Sequence, residues 1–257
     1  MPTDNIKDSD VMEFAKTGMS CPDCRLADLC LPYGLHVNEV QQLARIVKNK
    51  RPLKTDEYLY LQGDECQSLY AVKSGSFRSF IAHADGSEQT IGFYLPGELM
   101  GLDSLQHGRF TCSTVALETG AVCDVPLSRL NELCSEIPGL QIQMMRMLSK
   151  EIVADHDKIV LLGHRTAKEK MATFILMLSI RYGALGFSNT VFNLSMRRQD
   201  IANFLGLTIE TVSRQLAELS KQGIITVKQR GVQINNLDLL KAIVDIVPQT
   251  DCISDSR

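Results

Sequence analysis

An α+β chain is what this sequence predicts: an antiparallel β-roll, then one long helix, then a helical module that ends in a β-hairpin. Three features predict it. Between residues 51 and 127 glycines recur at 63, 75, 86, 97, 108 and 120, a spacing that suits short strands joined by tight turns. From Gly139 to Gly163 no glycine intervenes, and the stretch is rich in helix-tolerant Leu, Met, Ile, Lys and Glu. After Thr166, helical patterns alternate with short loops and finish in two apolar runs around a polar turn.

The 257 residues, 44% hydrophobic, are enough for two cores and argue against a mainly disordered chain. No apolar run reaches the roughly 18 uncharged residues of a spanning helix, and the start, with Asp4, Lys7, Asp8 and Asp10, is unlike a secretory signal. A soluble, cytoplasmic protein without membrane partners is expected. Eight cysteines in a reducing compartment point to metal, redox chemistry or plain burial rather than disulfides.

Residues 1–50 hold a polar start, a cysteine cluster and a helix over 38–48, with Val40, Leu43, Ile46 and Val47 at helical spacing. Residues 51–135 form the β-roll, of cupin-like type, with runs such as Tyr58-Leu59-Tyr60-Leu61 and Leu69-Tyr70-Ala71-Val72. Residues 136–163 form the long helix. Along it Met145, Leu148, Ile152, Asp155, Ile159 and Leu162 follow one another by 3, 4, 3, 4 and 3, the repeat of a two-helix seam. The stripe is narrow and apolar except at Asp155, which favours self-association over packing on the chain's own roll.

Residues 164–257 form the terminal module. Ile224-Ile225-Thr226-Val227 and Val232-Gln233-Ile234 flank the turn Lys228-Gln229-Arg230-Gly231, a hairpin, and a short helix is expected after Asn235. Upstream, residues 198–204 are helical in pattern, Gly206 supplies a turn, and Thr208 can cap a second helix with its hydroxyl. This is the punctuation of a winged helix-turn-helix. In the second helix Val212, Leu216 and Leu219 share one face, while Glu210, Ser213, Arg214 and Ala217 share the other.

That second face suits base edges in the major groove of double-stranded DNA: Arg214 can donate twice to guanine, Glu210 can accept from cytosine, and Ser213 serves either way. Arg197, Arg198, Lys228 and Arg230 are candidates for phosphate contacts. The competing explanation is a solvated Glu210–Arg214 ion pair four residues apart. Net charge is -3 overall, yet residues 163–234 carry ten Lys and Arg against four Asp and Glu, a local +6 that leaves -9 elsewhere. Binding to phosphate needs only the local surface to be positive.

Cys21-x2-Cys24-x5-Cys30 places three thiolates within one loop, whose conformations Pro22 restricts. A fourth ligand can come from Cys66, Cys112, Cys123 or Cys134, and spacing does not choose among them. Four thiolates hold either tetrahedral zinc or an iron–sulfur cluster, and a site without metal is the third possibility. The five histidines, His36, His83, His107, His156 and His164, are scattered without metal or triad spacing, so nothing marks an enzyme.

A short-spaced cysteine trio, a β-roll, a seam helix and a winged helix-turn-helix carrying Glu210-x-x-Ser213-Arg214 together resemble the FNR branch of the CRP/FNR transcription regulators. The similarity extends from Cys21 to about Ile234 and includes Ser68-Leu69-Tyr70-Ala71, Ala116-Leu117-Glu118-Thr119, Gln143-Met144-Met145-Arg146 and Leu205-Gly206-Leu207-Thr208-Ile209-Glu210-Thr211. The resemblance implies that Cys21, Cys24, Cys30 and Cys123 bind an oxygen-labile [4Fe-4S] cluster, leaving Cys66, Cys112, Cys134 and Cys252 as ordinary thiols. It also implies a homodimer when the cluster is bound, TTGAT-like inverted repeats, activation or repression of genes of anaerobic metabolism, and contact with RNA polymerase near loop 83–87. A constitutive, zinc-stapled DNA-binding regulator of the same fold is the alternative. Cyclic-nucleotide receptors share the roll and keep an Arg for the phosphate after a Gly-Glu-Leu turn. Here Gly97-Glu98-Leu99 is present but Thr111 takes the Arg position, so a cyclic phosphate loses its charge-assisted contacts.

Overall fold

The structure, a computed structural model, describes residues 21–244. Cys252 and the charged residues at the start lie outside the described part. The chain divides into two units, residues 1–151 and 152–257, and among the described residues no helix is long and apolar enough to cross a membrane.

The first unit opens with two short 3-10 turns, Cys21–Asp23 and Ala27–Leu29, which carry the cysteine loop. Helix α1 follows at Val37–Ile46. It ends earlier than its periodicity suggests because Lys48–Asn49 form strand β1, with Asn49 opposite Cys123. Sheet pairing overrides the helical pattern at Lys48.

The roll consists of β1 with β2 (Tyr58–Tyr60), β3 (Ser68–Ser74), β4 (Phe77–Ala82), β5 (Glu88–Tyr94), β6 (Leu99–Met100), β7 (Ser113–Ala116) and β8 (Ala121–Pro126). They form two antiparallel four-stranded sheets, ordered β1-β8-β3-β6 and β2-β7-β4-β5. Side chains of a strand alternate between faces, and β3 uses both. Tyr70 and Val72 enter the roll interior with Tyr60, Phe77, Phe110 and Cys112. Leu69 and Ala71 join an outer core with Leu31, Leu43, Val125 and Leu130. Inside, the Tyr60 and Phe110 rings stack at 3.7 Å between centroids and 8° between planes, so aromatic packing fills the roll.

The end of the roll domain, residues 127–135, forms with Glu136 the helix α2 (Leu127–Glu136), which the sequence pattern did not mark and which buries Leu130 and Leu133 in the outer core. Helix α3 spans Pro138–His164, as the glycine-free stretch predicts. In its first half Leu140, Met144 and Met147 pack on the outer core while Met145 stays 63% exposed. In that half of the helix one side packs on the outer core, and the other is left open.

In the second unit, α4 (Ala167–Ala184) starts at a capping box: the Thr166 hydroxyl accepts from Glu169 N at 3.3 Å, and the Glu169 carboxylate accepts from Thr166 N at 2.7 Å. Then come β9 (Val191–Asn193), α5 (Arg198–Leu205), α6 (Ile209–Lys221), β10 (Ile225–Lys228), β11 (Gly231–Ile234) and α7 (Leu237–Ile243). The expected hairpin is β10–β11, and β9, which the sequence pattern did not mark, pairs with β11 as a third strand.

Candidate metal centre and nucleic-acid interface

One pocket in the outer core is lined by Cys21, Cys24, Cys30 and Cys123. The loop supplies three sulfurs and β8 supplies the fourth. Strand parity explains why it is Cys123: Val122 packs inside the roll, so its neighbour Cys123 faces outward, on the side of Val125. Cys112 points into the interior, Cys66 is buried there with its thiol donating to Ser68 O at 3.3 Å, and Cys134 packs at the edge of the outer core from α2. The loop is seated by a close approach at Gly97. Its φ is +89°, and a Cβ there would stand 2.9 Å from Leu29 Cβ, so a side chain would push the loop away.

The donor set is four sulfurs in an apolar wall of residues such as Leu26, Pro32, Leu43 and Val47, with Lys73 as the one charged residue in the lining. Among the described residues no three His, Cys, Asp or Glu side chains form a group that could hold a single metal ion. Burial pushes the Cys21 thiol up to about 11, helped by the neighbouring Cys123 and Cys24 thiolates. Burial pushes Cys30 up to about 12 and raises Cys123, against which Lys73 acts. Four thiolates crowded into such a wall repel one another, so a cationic centre is what lets them ionise together. Soft donors with this charge requirement fit a thiolate-held metal centre.

Sequence patterns missed two residues of this site. Lys73 follows Leu69 and Ala71 at period two on β3, and that alternation was the available signal. Gln143 is 6% exposed, and its Nε2 donates to Cys30 O at 3.1 Å; it sits at helical spacing with Leu140 and Met147, a polar residue on a buried face.

In the second unit the helix-turn-helix forms as its sequence dictates. Gly206 ends α5 in the left-handed conformation, φ 61°. The Thr208 hydroxyl accepts from Thr211 N at 3.2 Å to start α6. Val212, Leu216 and Leu219 are buried, and Glu210, Ser213, Arg214 and Ala217 are exposed. Arg214 Nη2 donates to Thr211 Oγ1 at 3.4 Å, and among the described residues no ion pair joins it to Glu210, contrary to the ion-pair explanation. Backbone N–H at the helix start and the Thr208 hydroxyl hold the Glu210 carboxyl below its ordinary value, so it is an acceptor at neutral pH. Lys228 and Arg230 are exposed at the hairpin turn and Arg197 is exposed before α5. Arg198 is half-buried, and its Nη1 has no hydrogen-bond partner.

Along α3, Ile152 and Ile159 are 56% and 67% exposed, Leu148 and Leu162 are half-buried, and Asp155 is exposed. Asp155 Oδ1 accepts from Lys158 Nζ at 3.0 Å, a partner one turn along that the seam pattern did not announce. Loop 83–87 is an exposed hairpin tip held by His83 N to Ser87 O at 2.9 Å and by Ser87 N to the Asp85 carboxylate at 2.9 Å. Thr111, where a cyclic-nucleotide receptor keeps Arg, gives its backbone N–H to the Asp103 carboxylate at 3.3 Å, and its hydroxyl binds the same group. An acidic group beside that position repels a phosphate anion.

A β-roll, a seam helix and a winged helix-turn-helix with an exposed polar reading face define the class: a DNA-binding transcription regulator rather than an enzyme. Residues 169–243 match the Crp-like helix-turn-helix domain and residues 50–136 the cyclic nucleotide-binding domain. The chain is 42% identical over 223 residues to the fumarate and nitrate reduction regulatory protein of Salmonella typhimurium, covering 87% of this chain and 89% of that protein. The protein of the same name from Escherichia coli K12 is 42% identical over 220 residues, 86% and 88% of the two chains. Among solved structures, FixK2 from Bradyrhizobium japonicum superposes with a TM-score of 0.71 at 28% identity, over 79% of this chain and 99% of that one. The chain belongs to the CRP/FNR family of transcription regulators, with FNR-type proteins among its relatives.

Proposed function

We propose that this regulator responds to oxygen through a [4Fe-4S] cluster held by Cys21, Cys24, Cys30 and Cys123, in the cytoplasm, and controls genes of anaerobic metabolism by activation or repression. The observation that carries the proposal is the meeting of these four cysteines, from two distant segments, around one apolar pocket. When bound, the cluster supplies iron–sulfur bonds that air destroys. The chain's own part is to surrender the thiol protons, to fix the loop against Gly97, and to keep water from the sulfurs with the apolar lining.

Dimerisation is assigned to Met145, Leu148, Ile152, Ile159 and Leu162 of α3; Met145, Ile152 and Ile159 are exposed apolar side chains that a second copy would bury. Asp155 opposes it: pairing brings two carboxylates together and strips their hydration, and Lys158 compensates only part of that charge. Without the ordered loop the balance lies toward monomer, and with it toward dimer. A two-fold dimer presents two α6 helices to a TTGAT-like inverted repeat. Glu210, Ser213 and Arg214 read bases, Arg197, Arg198, Lys228 and Arg230 meet phosphates, and loop 83–87 is offered to RNA polymerase. Cyclic nucleotide is not the effector, given Thr111 and Asp103.

The test is purification without oxygen followed by iron and sulfide assay. Iron and acid-labile sulfide in equal amounts, four of each per chain, support the proposal. Zinc without sulfide, in a colourless protein that binds its operator in air, selects the zinc-stapled alternative.

A further inference from the structure

We infer that Gln143 is the positioning residue that couples the cysteine loop to the seam helix, an inference that rests on the cluster-controlled dimer proposed above. It reaches the loop from 113 positions along the chain, donating from Nε2 to the carbonyl of Cys30 at 3.1 Å, so the backbone of one ligand residue is bonded directly to α3. Two neighbouring contacts align with it. Leu35 packs on the backbone of Gly139, where an added Cβ would lie 3.1 Å from Leu35 Cδ2, and the Arg146 guanidinium stands 6.0 Å from the Tyr33 ring.

Gln143 differs from those contacts because it is buried and half-satisfied. Its Oε1 is buried with no hydrogen-bond partner, and Leu140, Met144 and Met147 around it offer no side-chain donor. The single bond to Cys30 is therefore what keeps the amide from being wholly unpaired, and any displacement of Cys30 is felt at once by the helix. Met145, two residues on, is the first residue of the exposed seam. One turn of α3 thus carries the loop's anchor on its buried side and the dimer surface on its open side.

The test uses Gln143→Met, close in volume and without polar ends, so that nothing remains to donate to the Cys30 carbonyl. Iron content and visible absorbance are read on protein prepared without oxygen, and the monomer–dimer constant is measured by sedimentation before and after air. Full iron content with a wild-type melting temperature, together with a roughly fivefold or greater fall in the ratio of the two dimerisation constants, is the expected result. A structural residue would instead lower iron content and melting temperature along with dimerisation, and that outcome, or an unchanged ratio, overturns the inference. Iron-free wild-type protein would instead overturn the cluster proposal. The tie is then read alone, by amide hydrogen exchange of the apo-protein over residues 24–35. Exchange there is expected to quicken roughly fivefold in Gln143→Met; unchanged exchange refutes the tie whether or not the protein binds iron.

Discussion

The cysteine pocket and the recognition helix are built in opposite ways. Everything α6 needs lies within a short run: Gly206 to stop the preceding helix, Thr208 to start the next, and three apolar residues to orient it. The pocket needs a loop, a strand some ninety residues later, and a helix beyond that. The reading surface is therefore complete without a bound group, whereas the pocket gathers four cysteines, of which burial holds Cys21, Cys30 and Cys123 against ionising. In the switch proposed above, the part that reads DNA is fixed, and the part that would change is the pocket.

The contrast is sharpest if each region can be disabled while the other stays intact. Cys123→Ser is expected to abolish iron uptake and the visible absorbance, whereas Cys112→Ala keeps both and loses only about 1 kcal/mol of stability from the roll interior, read by anaerobic spectra and melting temperature. Iron retained by Cys123→Ser would move the fourth ligand elsewhere. Arg214→Ala should weaken operator binding by about 1 to 3 kcal/mol, roughly ten- to a hundredfold, with an unaltered anaerobic spectrum; fluorescence anisotropy against operator and scrambled duplexes measures it. Asp155→Ala should tighten the dimer in air by at least about tenfold, and sedimentation that still shows only monomer removes the seam carboxylate from the account. The smallest effect belongs to Lys228→Ala, a loss of a few-fold on every sequence and a salt dependence shallower by about one ion.

Local elements were legible because their causes are local. The helix-turn-helix, the hairpin and the long helix follow from periodicity, a capping Thr and well-placed glycines. Tertiary pairing decides elsewhere: Lys48, at the end of the expected helix, is drawn into sheet by β8, and α2 forms within the roll domain because Leu130 and Leu133 complete the outer core. Cysteine spacing left the fourth sulfur open because distance along the chain does not set which face a strand residue takes. Parity does: Val122 inward puts Cys123 outward. Lys73 was readable by the same alternation on β3. The bond from Gln143 to Cys30 was not, since nothing near either residue reports on a partner 113 positions away.

One sample, kept strictly free of oxygen and then opened to air, tests the central claim most directly when its visible spectrum and its sedimentation are followed together. The account predicts a coloured dimer that bleaches and falls apart into monomers on the same time course. A dimer that persists after the colour has gone, or one that was iron-free from the start and binds its operator equally in both conditions, would contradict it.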